Sequence, residues 1–295
     1  MIHHLLRATI LTGFAFFIVY LFQTDEMTLY IAPRMELYVK LSAIGLYAAA
    51  IYQIYAALQK RMGKQEVDCG CEHDHEPSPS IAKNTLIYGL FLLPLALGFL
   101  APTGTLGSAL AAKKGVSLSG SPSSERADLI TAPVPEVDPA PVSEEKMLDA
   151  LFPYDEYTID HANYGKILYS MPAIEVPEKQ FIETLTTLDL YREAFLGKEV
   201  VLSGFVYRED EMGKDRIAVS RFAMNCCSAD ALPYGLMIEW PKANEYAADE
   251  WVSVKGTLKT TTYMDNEIIT LEATKIERIE APATPYVYPD LEFAY

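Results

Sequence analysis

The chain has 295 residues, half of them hydrophobic, and a formal net charge of −16, which suits a small membrane region followed by one compact water-facing domain. The charge is unevenly divided: residues 1–115 carry nine Lys/Arg against eight Asp/Glu, and residues 116–295 carry 15 against 32. An acidic second half without clustered Lys and Arg argues against a nucleic-acid ligand and against lying flat on anionic lipid, and four cysteines are too few for a disulfide-scaffolded domain.

The first apolar run, Ala8–Phe22, is bounded by Arg7 and by Asp25 and Glu26. Leu5 and Leu6 lengthen it while Arg7 reaches the interface, giving a first span over about residues 5–24. A signal peptide is the rival reading, but Gln-Thr-Asp-Glu follows Phe22 where a small-x-small cleavage pattern belongs. The second span covers about 38–58. Ser42, Ala43, Gly45, Ala48, Ala49 and Ala50 permit close helix packing, while Tyr47, Tyr52 and Tyr55 sit at roughly helical spacing, toward a partner or toward lipid. The third, about 84–102, lies in a stretch from Asn84 to Ala112 with no charged residue. Lys60, Arg61, Lys64 and Lys83 gather in the 59–83 loop, so the positive-inside rule places that loop and the N-terminus in the cytoplasm and the C-terminal half outside. Lys113 and Lys114 run against the rule.

Residues 1–115 thus form a membrane domain. The Pro/Ser-rich segment 116–143 reads as a linker, because it lacks the apolar periodicity needed to bury surface. An extracytoplasmic α+β domain is expected over 144–295. Glu178–Phe195 has helical period, with Phe181, Leu185, Leu188 and Leu190/Tyr191 on one face and Gly197 as the stop. Five runs of period two follow: 199–208, 216–224, 234–240, 251–258 and 267–279. With Gly204 and Gly256 inside two of them, they suit a five-stranded antiparallel OB-like barrel over about 197–281; a five-stranded sandwich would leave the same trace.

Two clusters carry metal chemistry. The 59–83 loop holds Cys69, Cys71, His73 and His75 among three carboxylates, a set of sulfur and nitrogen ligands suited to zinc and its neighbours, although C-x-C followed by H-x-H is not a zinc-finger spacing. A solvated polar loop is the plain alternative. The second cluster, Cys226 and Cys227 with Met224 or Asp230, sits at the end of the second strand-like run. Adjacent strand residues point to opposite faces, so both thiols reach one ion only where the chain bulges. A vicinal disulfide and a core-packed cysteine are the competing readings. The chain has no P-loop, no G-x-S-x-G, no H-E-x-x-H and no dinucleotide fingerprint, and no organic cofactor is expected. His161 near Asp155 and Asp160 reads as a surface histidine. Trp240, Tyr246 and Trp251 are the aromatic residues available for a binding platform, with core packing the default for the two tryptophans.

The short N-terminal spans, the Cys/His/Asp-rich loop at 69–76 and the run RFAMNCCSADALPYGLMIEW after Gly204-Phe-Val-Tyr resemble the YcgQ-type permease-subunit family. The resemblance covers most of the chain except the linker. It implies an accessory membrane subunit, not an enzyme, that works with a separate multi-span permease, and it supplies no substrate. The sequence therefore sets three expectations in order: a permease accessory subunit that binds or senses zinc or copper, an envelope ligand- or protein-binding module, and a thiol-redox protein.

Overall fold

A computed structural model describes residues 2–62, 80–100, 104–118 and 144–293. It divides into two compact units, residues 1–104 and 105–295.

The first unit holds three helices, α1 (Ile2–Gln23), α2 (Glu36–Arg61) and α3 (Ile81–Leu100), each long and apolar enough to cross a membrane. At 1.5 Å per residue the shortest rises about 30 Å, the thickness of a hydrocarbon core. All three lie within a few residues of the expected spans. The α1–α2 pair carries small buried side chains: Ala43, Ala50 and Ala57 of α2 are buried at seven-residue spacing, and Ala8, Ile10, Ala15 and Leu21 are the buried residues of α1. A side chain one carbon long lets two helix backbones approach closely where no hydrophobic effect drives them together. Tyr47, Tyr52 and Tyr55 stay exposed, outside that seam. Near the α1 N-terminus, His3 Nδ1 lies 3.0 Å from Tyr88 Oη on α3, and His4 Nδ1 lies 2.8 Å from Gln53 Oε1 on α2.

The second unit begins before the boundary expected at 144. Helix α4 (Ser108–Lys114) packs on it, with Ala111 fully buried, and Ser117 forms a parallel bridge with Tyr234. Next come α5 (Glu144–Leu151), α6 (Ile159–Ser170), α7 (Phe181–Leu190) and the single turn α8 (Arg192–Phe195). The helix anticipated over Glu178–Phe195 is therefore two. It breaks at Tyr191, whose φ of −109° and ψ of 38° leave the helical region. The anticipated apolar face is real, with Phe181, Leu185, Leu188 and Tyr191 all buried.

The sheet has seven strands, not five, and is mixed, not antiparallel: β1 (Ala173–Glu175), β2 (Glu199–Tyr207), β3 (Arg216–Ala223), β4 (Leu232–Glu239), β5 (Trp251–Tyr263), β6 (Asn266–Arg278) and β7 (Tyr286–Val287). The additional strands, β1 and β7, are three and two residues long, too short to show a period, and both pair in parallel. The strand order is β1-β2-β5-β6-β4-β3-β7, and β2 also pairs with β3. The β4–β6 pair is parallel, since the chain between them runs through β5.

β2 makes this double pairing by giving Glu199–Phe205 to β5 and Phe205–Tyr207 to β3. Gly204 sits one residue before Phe205, where the two partners overlap, and a Cβ there would stand 2.5 Å from the Ser220 carbonyl oxygen. Between β5 and β6 the register shifts at Lys255/Gly256, the second glycine singled out in the sequence. The hairpin itself turns at Met264 and Asp265, both with positive φ (46° and 62°). Two left-handed residues in a two-residue loop match the twist of the flanking strands. The core between helices and sheet is aliphatic and aromatic, with Phe152, Phe181, Phe195, Leu202, Ile217, Leu236 and Val254 almost wholly buried.

Candidate metal site on the loop between β3 and β4

β3 ends at Ala223, and the chain then turns through residues 224–231 before β4 begins at Leu232. Met224 is fully buried and donates its N–H to the Val287 carbonyl at 2.9 Å, so the loop starts from a point pinned to β7. That burial removes Met224 from the ligands considered. The loop closes through a turn in which the Asp230 N–H donates to the Cys227 carbonyl at 3.0 Å.

The turn folds Asp230 back over the cysteines. Its Oδ2 accepts the Cys226 N–H at 2.7 Å and its Oδ1 the Asn225 N–H at 3.1 Å. The cysteines have left the strand, so the strand rule of opposite faces no longer separates them, and the two Sγ atoms lie 3.6 Å apart as free thiols. One ligand atom from each of Cys226, Cys227 and Asp230 falls within 4.8 Å of the others, and all three side chains are half-buried. Two sulfurs and a carboxylate oxygen at that spacing can converge on a single transition-metal ion, leaving a tetrahedral fourth position open.

The electrostatics follow from the hydrogen bonds. The Cys226 thiol is pushed up to about 11, first by its bond to Asp230 and then by Cys227. Burial alone would raise the Asp230 carboxyl; hydrogen bonds from the Cys226 thiol and from backbone N–H groups of Cys226, Asn225 and Cys227 outweigh it and hold it below its usual value. The Cys226 thiol thus keeps a proton that any metal ion bound there would have to displace.

A segment remote in sequence supports the loop. Lys114 Nζ donates to the carbonyls of Ala229 (2.9 Å) and Ala231 (2.7 Å). Sequence reasoning noticed Lys114 only as a positive charge placed against the positive-inside rule. The other expected ligands, Cys69, Cys71, His73 and His75, lie outside the described residues. His161 is half-buried: it packs on Phe293 with ring centroids 4.9 Å apart, its Nδ1 is 2.8 Å from Thr187 Oγ1, and burial lowers its pKa. The aromatic residues are each engaged in packing of their own, Trp251 against Phe205 and Arg221, Tyr246 under Arg278, and Trp240 on the core.

Comparison with known proteins places this architecture. Residues 6–117 match the DUF1980 N-terminal domain and residues 151–289 match the DUF1980 C-terminal domain. The chain is 30% identical over 299 residues to UPF0703 protein YcgQ of Bacillus subtilis (strain 168), covering 96% of this chain and 98% of that one. The chain belongs to the DUF1980 family. The boundary between its two matched domains falls after residue 117, so the N-terminal match takes in α4 and Ser117, while the cysteine loop lies in the C-terminal match. No solved structure matches.

Proposed function

We propose that the protein is a membrane-anchored accessory subunit of a separate multi-span permease, and that its second unit captures or senses a transition-metal ion at Cys226, Cys227 and Asp230. The observation that carries this reading is the convergence of two thiols and a carboxylate within 4.8 Å on one half-exposed loop. Zinc suits two sulfurs and one oxygen, with copper(I) the thiol-preferring alternative. Three protein ligands on an accessible turn suit capture and release better than a closed structural site. The permease partner follows from the YcgQ-type resemblance, and three helices whose Lys40–Glu36 ion pair lies in the first turns of α2, near its end, favour docking to a transporter over transport by this chain alone. In this reading the N-terminus and the 59–83 loop face the cytoplasm, the second unit stands outside, and Cys69, Cys71, His73 and His75 offer a second soft-metal set within that loop.

We also read β2 to β6 as an OB-type barrel. The ring of pairings β2–β3–β4–β6–β5–β2, with one parallel step, supports it.

The test is gentle purification of the full chain from native membranes, with elemental analysis and partner identification on the same sample. Stoichiometric zinc or copper that is lost from a folded Cys226→Ser variant, together with a multi-span partner, is the expected result. Metal-free protein without a membrane partner would move the assignment to an independent envelope binding module.

A further inference from the structure

A lysine in the last turn of a helix ordinarily serves that helix's own terminal carbonyls. Lys114 ends α4 but reaches away from it, to the carbonyls of Ala229 and Ala231, the two residues that straddle Asp230. Holding both flanking carbonyls fixes the backbone that aims the Asp230 carboxylate at Cys226. The lysine also offsets the charge left when a divalent ion meets two thiolates and a carboxylate.

α4 is itself held at its other end and beyond. Asp249 accepts the Ser108 N–H (2.5 Å) and the Ser108 hydroxyl (2.8 Å), and Ser117 donates its N–H to the Pro233 carbonyl at 3.0 Å. Covalently, α4 begins at Ser108, soon after α3 ends at Leu100.

We propose that Lys114 is a positioning residue of the Cys226–Cys227–Asp230 metal site, and that through it metal occupancy is coupled to the docking of α4, the helix that follows the last membrane-spanning candidate. The inference rests on the metal-binding reading of that site. Its reciprocal form is obligatory: if a docked α4 tightens the site for metal, metal tightens the docking of α4 by the same factor.

The experiment uses full-length protein in detergent, carrying Cys69→Ser and Cys71→Ser so that Cys226 and Cys227 are its only thiols. Cobalt(II) is titrated and read by thiolate-to-cobalt charge-transfer absorption, and hydrogen exchange of the α4 amides is followed with and without the ion. Lys114→Met is expected to weaken cobalt binding about 10- to 100-fold, the usual effect of losing a partner that orients a ligand. Lys114→Arg should recover most of that loss, and cobalt should protect the α4 amides of the parent. Equal affinity in Lys114→Met would overturn the inference and leave the metal reading standing. So would α4 exchange in the parent that ignores cobalt, a result that decides the matter even if Lys114→Met fails to fold. No thiolate–cobalt band in the parent would overturn both.

Discussion

Glu183 Oε1 accepts the backbone N–H of Asp290 at 2.8 Å, which ties the C-terminal segment to α7, while Glu183 Oε2 is buried with no hydrogen-bond partner among the described residues. Burial is the main reason its pKa is raised above 4.5, and the nearby Asp290 carboxylate pushes the same way. A carboxyl with a raised folded-state pKa contributes stability below its unfolded value, and that contribution is lost as pH rises through the folded value. Glu183→Gln keeps an oxygen for the Asp290 N–H and removes the charge. It should therefore raise stability at pH 8, by about 1–2 kcal/mol on the scale of an unsatisfied buried polar group, and much less at pH 4. Thermal unfolding at the two pH values checks this. His161, whose pKa is lowered by burial, titrates in both proteins and cancels in the comparison. A loss of stability at pH 8 would mean that the carboxylate has a compensating partner.

The Cys226 thiol owes its high pKa first to Asp230. Asp230→Asn removes the negative charge and should raise the thiolate fraction at pH 8. Alkylation of Cys226 by iodoacetamide in metal-free protein should then run about 3- to 10-fold faster, each unit of pKa being worth a factor of ten. Peptide-resolved mass spectrometry gives the rate, and an unchanged rate would remove Asp230 as the controlling neighbour.

Arg221 is almost wholly buried, with its guanidinium over the Trp251 ring (5.6 Å) and the Phe181 ring (5.9 Å). It also donates to Glu178 (2.9 Å) and to the Thr284 carbonyl. Arg221→Leu preserves bulk but strands that carbonyl and loses the ring contacts. A cost of about 2–4 kcal/mol is expected in urea unfolding, and a change below about 0.5 kcal/mol would show that the contacts are incidental.

Gly204→Ala places a methyl group against the Ser220 backbone, which cannot yield without opening the β2–β3 pairing. The expected loss exceeds about 3 kcal/mol, and poor accumulation of folded protein is the cruder readout. Wild-type stability in this variant would mean that β2 and β3 separate easily.

The parts legible in the sequence were those whose signal is local. Three apolar runs became three helices of spanning length, and five runs of period two became β2 to β6. The alanine seam was half legible: Ala43 and Ala50 stood out among the small residues, but Ala57 did not. Cys226, Cys227 and Asp230 were readable as a set, and what could not be read was the turn that removes the cysteines from the strand. Lys114 and the loop it holds are 115 and 117 residues apart in sequence, so no pattern joins them. The C-terminal segment shows no period, yet Asp290 is held by Glu183 and by Gln180, because its anchoring is polar and point-by-point.

Ser117 has a consequence for how the second unit behaves when detached. β4 pairs with β6 only over Met237–Glu239, so the outer edge of Pro233–Gly235 has Ser117 as its neighbour, bonded to Pro233 and to Gly235. A fragment starting at Thr105 carries that cover with it. A fragment starting at Glu144 leaves a bare strand edge beside two free thiols, and such an edge recruits a second chain. The shorter fragment should self-associate edge to edge where the longer one stays monomeric.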